Sequence, residues 1–483
     1  MMGRHLLTYM VPNLAQAVAS FGTVAILTRF LSDAEYGRYA LVYTAMTLVQ
    51  YLTLTWVEAA AARFYGDAAE KNDKPNHFAT LLQASLWCSV GFGVLCVIII
   101  TLWPGDDALK ITLAAAFGGV LMRTIIKIAL ETRRMAQEAT RFALVDTLHT
   151  LLGFGLAVVC VVMLGMGPEG AFLGLAIASL IVLVIEGPAL FLAARGGRPD
   201  PARTQAYVAY GAPLAAGLIL NLALTSGDRF VIGAVLDEAA VGAYSAGYQV
   251  GARILDIIFV WGSTAITPLL VAAYERGGAK AVIPIARDGY TLRLGIGAPA
   301  AVGIALLAHP ICTVLIGESL RDRAADIVPW IALAALMAGM CDYFSEAFML
   351  TKKALERALL MLVPAVLNIA INITLLPRIG LMGAVIATVA AYGVGMVLLA
   401  IVGRRHIALP IPVWETGKIA LACAVMAAVV LTTPKFGGAL EIGVKAILGA
   451  ITYGCMALLL NLANIRYKVT ALLARLFNQK AIL

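Results

Sequence analysis

Leu27-Thr28-Arg29-Phe30-Leu31-Ser32-Asp33-Ala34-Glu35-Tyr36-Gly37-Arg38-Tyr39 closes one apolar segment and opens the next. An arginine sits where the first span runs out, a short acidic link follows, and a Gly and a Tyr begin the second span. The pattern returns about 200 residues later as Asp228-Arg229-Phe230-Val231-Ile232, then Asp237-Glu238, then Gly242-Ala243-Tyr244. Pro12 precedes Arg29 by 17 residues, and Pro213 precedes Arg229 by 16. The chain reads as two similar halves, each starting with a proline-bent apolar helix that ends near an arginine.

The surrounding composition says what solvent these segments meet. The chain is 61% hydrophobic and 13% charged, with a mean hydropathy of +0.90. Soluble domains carry about 25% charged residues, and a soluble protein this apolar would expose aggregating patches. Lipid is therefore the solvent for most of the chain. The net charge of +8 does not point to nucleic acid, because the basic residues fall in short loops between apolar runs and form no continuous basic domain. The seven cysteines (Cys88, Cys96, Cys160, Cys312, Cys341, Cys423 and Cys455) all lie in apolar runs without a CxxC pair. They read as small buried hydrophobes, with neither a disulfide framework nor a metal site. The N-terminus resembles a signal peptide up to Ala17-Val18-Ala19, but the apolar run continues to Leu27, so an uncleaved first helix is expected.

A spanning helix needs about 20 mostly apolar residues. Fourteen such segments are expected, at about 6–29, 38–62, 78–103, 109–131, 142–165, 170–193, 206–235, 242–272, 284–316, 326–351, 357–376, 381–403, 415–433 and 440–462. With fourteen spans both termini share a side. The loops on that side hold 24 of the 36 Lys and Arg residues, counting Arg293 and the four tail cations, against 8 on the other. That bias places both termini in the cytoplasm. A second echo supports the repeat: Gly167-Pro168-Glu169-Gly170-Ala171 and Gly380-Leu381-Met382-Gly383-Ala384 each open a helix, 213 residues apart. The fold class is an all-α polytopic membrane protein of about fourteen transmembrane helices. Two six-helix lobes in parallel repeat, 1–204 and 205–406, precede an additional helix pair and cytoplasmic tail at 407–483.

Ionisable groups inside a bilayer are expensive, so each is a functional hypothesis. Arg123, Lys127 and Glu131 share one face of the fourth span. Either the two cations form an anion-binding strip facing a cavity, or they snorkel toward the cytoplasmic end with Glu131 as partner. Asp228-Arg229 either serves function or neutralises itself at the outer interface. Arg253 and Asp256 share a face as a functional or a satisfied pair. Asp342 and Glu346, four apart, are like-charged neighbours whose repulsion a bound proton would relieve, which suits ion coupling, though a wet vestibule needs no such role. Glu58, Asp146 and Glu186, near cytoplasmic ends, are expected to face water. No P-loop, HExxH or GxSxG pattern occurs and the five histidines are scattered, so no catalytic residue, cofactor or ATP drive is expected.

At Leu27–Leu31 with Glu35–Tyr39, Glu58, Arg63-Phe64, Pro213, Asp228-Arg229 and Val241–Tyr244, the chain resembles the polysaccharide transporter family. These are Wzx-type flippases of the multidrug/oligosaccharidyl-lipid/polysaccharide exporter superfamily, and the resemblance covers nearly the whole chain. It implies two six-helix bundles around a central cavity in a bacterial inner membrane. It further implies translocation of an undecaprenyl-pyrophosphate-linked oligosaccharide from the cytoplasmic to the periplasmic leaflet. Membrane lipids, a polysaccharide polymerase and glycosyltransferases are the implied partners. On this reading Arg123, Lys127, Arg29, Arg229 and Arg253 are candidates for the pyrophosphate, and Asp342, Glu346, Asp228 and Asp256 for ion coupling. A lipid II flippase would favour several arginines low in the first two helices, whereas here the first span has only terminal Arg29. A multidrug exporter usually stops at twelve spans. A membrane glycan polymerase or ligase would carry a long outer loop, which this chain lacks.

Overall fold

The computed structural model describes residues 2–102 and 106–466, and these are helical with short turns and no strand among them. Helix is what an apolar chain in lipid must form, since every backbone N–H and C=O has to be satisfied within the segment. In chain order the helices are α1 Met2–Phe30, α2 Asp33–Thr53, α3 Thr55–Glu70, α4 Lys74–Leu102, α5 Asp107–Met135, α6 Ala139–Val158, α7 Pro168–Ala193 and α8 Pro201–Ser226. They continue as α9 Asp228–Val235, α10 Glu238–Leu306, α11 Ala308–Leu315, α12 Glu318–Leu350, α13 Ala354–Ile379, α14 Leu381–Gly403, α15 Val413–Thr432 and α16 Gly438–Leu459. A π turn, Val159–Met163, ends α6. Tail cations Lys468, Arg475 and Lys480 lie outside the described residues.

Among the described residues, twelve helices are long and apolar enough to cross a membrane. A bent pair adds one crossing to this count, and the long α10 holds another. α2 and α3 pass the same test together, bent by 50°. α10, at 69 residues, changes direction at Gly277 and Gly278, leaving arms 238–276 and 279–306. Gly278 has φ +63, a conformation that side chains with a Cβ resist. The layout of about fourteen spans read from the sequence therefore holds. Outward-facing apolar residues such as Trp87, Leu102, Met163 and Trp414 are 67–77% exposed, as a lipid-facing surface requires. Cys455 is also exposed, unlike the buried site expected for it.

The second span departs from expectation. The sequence predicts one helix over 38–62, and the structure breaks it at Leu54. Neither Gly nor Pro marks the place. Instead Thr53 Oγ1 donates to the Val49 carbonyl (2.7 Å) and Thr55 Oγ1 to the Gln50 carbonyl (3.4 Å). Such hydroxyl back-bonding bends helices. Gly211 of α8 fixes the bend from outside, since its missing side chain lets α8 approach the Trp56 backbone.

The chain packs as two compact units, Met1–Ser245 and Ala246–Leu483. In the first, α5 is central and meets α2, α3, α4, α6 and α7. Val42, Met46, Leu54, Phe92, Phe117 and Phe172 form one core around it. In the second, α12 is central and packs on α11, α13 and α14, while α15 and α16 form a hairpin. The packing boundary falls inside α10, 41 residues after the repeat boundary read at 204/205, because α8 packs on α2, α3 and α4.

Candidate functional site

Two of the cations singled out from the sequence lie on the central helix of the first unit. Arg123 and Lys127, one turn apart on α5, are both partly buried. No acid among the described residues reaches ion-pair distance of either, and Arg123 Nε is shielded from solvent without a hydrogen-bond partner. Glu131 is not their partner, since Arg134 takes it at 2.5 Å. The closest negative field comes from the break in the second span. The bend at Leu54 turns Glu58 toward α5, where Lys127 and Arg123 both act on it, and Gln50 donates to its Oε1 at 3.4 Å. Glu58 thus faces a cationic strip, not the water expected of it. From α6, Asp146 acts on Lys127, and His149, held by Ser179 at 3.0 Å, feels both cations. The result is a partly buried patch of two cations with Glu58 and Asp146 in field range, none of these four in an ion pair among the described residues.

Other candidate cations are engaged elsewhere. Arg29 is exposed, and its Nη1 donates to the carbonyl of Ala25 at 3.0 Å. Arg229 is buried and gives Nε to Ser245 (3.1 Å) and Nη1 to the Thr225 carbonyl (3.0 Å) and to Asp228 (3.3 Å). Asp228, 1% exposed, also accepts from the Tyr244 hydroxyl. The Asp228–Arg229 pair is therefore an internal clamp joining α9 to the start of α10. Glu186, expected in water, is 2% exposed and receives Arg133 (3.1 Å) and Arg141 (2.9 Å). Its burial follows from its position on the inner face of α7.

In the second unit the acids of α12 are not left facing each other. Glu346 is buried, pairs with Arg293 at 3.3 Å and accepts from Thr267 at 2.7 Å. Asp342 is exposed and lies 4.0 Å from Arg357. Each acid has its own arginine, which corrects the expectation of two acids sharing an unrelieved repulsion. Arg293 corrects a second one. Expected among the loop cations, it is 2% exposed within the 279–306 arm. On the other arm Arg253 and Asp256 share a face but form no ion pair. Arg253 Nε is buried without a partner, and Asp256 feels both Arg253 and Asp342.

A family model described as "Polysaccharide biosynthesis protein" matches residues 2–273, more than half of the chain. The chain belongs to this polysaccharide biosynthesis protein family. A second model, "Lipid II flippase MurJ", matches residues 207–440. The "Probable flippase AglR" of Haloferax volcanii is 24% identical over 258 residues, covering 51% of this chain and 52% of that protein. The chain thus matches about half the length of this curated relative. Among solved structures, "Lipid II flippase MurJ, inward closed conformation" superposes with a TM-score of 0.78 at 12% identity, covering 95% of this chain and 100% of that one. An inward-facing MATE family transporter of the MOP superfamily gives a TM-score of 0.68 at 15% identity, over 83% of this chain and 97% of that one. At such identities the likeness is one of fold.

Within this family member, sequence reasoning missed Glu58 and Arg293 as parts of charged clusters. The only local hint to Glu58 was the Thr53-Leu54-Thr55 triplet four residues before it, whose hydroxyls bend the helix. For Arg293 the hint was its distance from the charged end of the span, six residues beyond Arg287.

Proposed function

We propose that this chain is a flippase for an undecaprenyl-pyrophosphate-linked oligosaccharide, moving it from the cytoplasmic to the periplasmic leaflet for surface or extracellular polysaccharide synthesis. The observation that carries this reading is the unclamped pair Arg123 and Lys127 on α5, with Arg123 Nε buried and unbonded. A guanidinium at that depth needs an anion or a wet vestibule. Its planar fork matches phosphate oxygens, and Lys127 adds a point charge one turn away. The cargo has the complementary parts: a pyrophosphate for the cations, a tail that stays in lipid and a glycan that needs a polar passage. Membership of the polysaccharide biosynthesis family and the flippase names of its relatives support the same class. Alternating access, driven by an ion gradient or the membrane potential, is the transport mode, with both termini cytoplasmic. Lobes 1–204 and 205–406, a helix pair in 407–483, and a polymerase and glycosyltransferases acting on the same precursor complete the proposal.

Arg123→Ala tests it. Export of the glycan should be nearly abolished at normal membrane abundance, and Arg123→Lys, which keeps charge but loses the fork, should export partially. Normal export by Arg123→Ala would remove the anion site from α5. A second reading, lipid II as cargo, is favoured by the match of residues 207–440 to the lipid II flippase model. Rescue of cells depleted of their own lipid II flippase would support that cargo over the first.

A further inference from the structure

We propose that Arg293 is the positioning residue of an arginine toggle in the second unit: it holds Glu346 in the state seen here and passes to Asp342 when Glu346 takes up a proton. This rests on the reading above that transport is ion-coupled. Arg293 Nη2 lies 3.3 Å from Glu346 Oε1 and 3.2 Å from Ser263 Oγ, and Thr267 donates to the same carboxylate oxygen. Nε and Nη1 of Arg293 are buried and have no hydrogen-bond partner. Each buried unsatisfied donor costs free energy, so a second acceptor within reach stabilises this guanidinium. Arg229 provides the comparison within the same chain: also buried, it bonds through both Nε and Nη1.

The alternative acceptor is one helical turn away. Asp342 shares the Glu346 face of α12, lies in the field of both Arg293 and Glu346, and has only a 4.0 Å contact with Arg357. The other ionisable groups around the pair are Arg253 and Asp256 from the first arm of α10, Tyr290 from the second, Cys341 and Tyr343 of α12, and Arg357 of α13. Arg293 sits over the Tyr343 ring at 5.8 Å, so the guanidinium has an aromatic face along which to turn. In the step itself, a proton from water forms one O–H bond on the Glu346 carboxylate. Arg293 keeps its charge, and the ion pair moves to Asp342. Release of the proton on the other side of the membrane restores the first state.

Three measurements test the toggle and the reading it rests on in the full-length chain. In lipid vesicles, acidification should produce protonated-carboxyl stretches in infrared difference spectra, and Glu346→Gln should lose one component of that band. In cells, Glu346→Gln, Asp342→Asn and Arg293→Met should lose precursor translocation at wild-type membrane abundance. In each purified variant, inorganic pyrophosphate should still protect against thermal unfolding. If Arg293→Met does not accumulate, the double variant Arg293→Met/Glu346→Gln, which removes both charges, should recover abundance without translocation. Wild-type translocation by Asp342→Asn or by the double variant overturns the toggle, as does a carboxyl difference band that Glu346→Gln leaves unchanged. Failure of pyrophosphate to protect the unmodified protein would instead overturn the anion-carrier reading and leave the toggle standing.

Discussion

A β-carbon placed on Gly37 would stand 1.7 Å from the carbonyl oxygen of Glu238. The first turn of α2 and the first turn of α10 therefore touch backbone to backbone. The reciprocal approach is nearly as close, since a β-carbon on Gly242 would lie 2.7 Å from the carbonyl oxygen of Asp33. The two glycines are equivalent positions of the internal repeat, in Leu31–Tyr39 and Leu236–Tyr244. Arg38 locks the crossing, with Nε and Nη2 on the two carboxylate oxygens of Glu238 (3.3 and 3.1 Å) and a further contact to Asp106 at 3.2 Å. Each helix start is capped in its own way, α2 by Ser32 and Glu35 and α10 by Asp237.

Gly37→Ala is expected to force this crossing apart, because the obstructing atom is main chain and cannot rotate away. The cost should be about 1–3 kcal/mol, as for other overpacked contacts. Gly66→Ala on α3, where nothing lies within 4 Å, is the matched control and should leave stability unchanged or slightly raised. Thermal unfolding of the two purified variants in one detergent makes the comparison. Equal melting temperatures would mean that the crossing contributes nothing.

Glu186→Gln is expected to destabilise the first unit, by about 2 kcal/mol or more, since it leaves Arg133 and Arg141 without their shared counter-charge. Arg141 is half exposed and Arg133 mostly buried, so Arg133→Gln should cost more than Arg141→Gln. Denaturation midpoints of the three variants give the order. The reverse order between the two arginines would show that solvent already compensates Arg133.

Gly278→Val should cost about 1–2 kcal/mol, because its φ of +63 lies in the left-handed region that a β-branched residue resists. Gly303→Val, in the second arm of α10 with open space around it, should cost less. Melting curves of both variants, recorded side by side, decide whether the turn between the arms depends on that glycine.

Topology is testable independently of transport. A phosphatase fused to the C-terminus should be inactive and a fluorescent protein fused there should glow, as a cytoplasmic end requires. An active phosphatase would refute the shared cytoplasmic side of the termini.

The regularities of this fold were readable because they repeat. Twenty-residue apolar runs are unambiguous against lipid, and the Arg29–Gly37 pattern announces itself a second time at Arg229–Gly242. The strip at Arg123 and Lys127 was readable because charges in an apolar run stand out. Glu58 was not, because its role depends on a bend made by two threonine hydroxyls, and local pattern treats threonine in a membrane helix as neutral. Arg293 was missed for the opposite reason. It lies near Arg287 and other loop cations, and charge counting assigned it to water although the helix carries it inward. The partners of Asp342 and Glu346 come from α13 and from the far arm of α10, which no spacing along α12 reveals.

The course of α10 has a practical consequence. The packing boundary at Ser245 and Ala246 falls in continuous helix, and the first departure from helical backbone comes only at Gly277. No surface loop lies at that boundary for a protease to nick. Fragments made by cutting at 245 would each expose a severed helix end with unpaired backbone groups, which lipid does not tolerate. Co-expressed halves should therefore reassemble best when divided in the loop before Pro201, with the whole of α10 left on the second fragment.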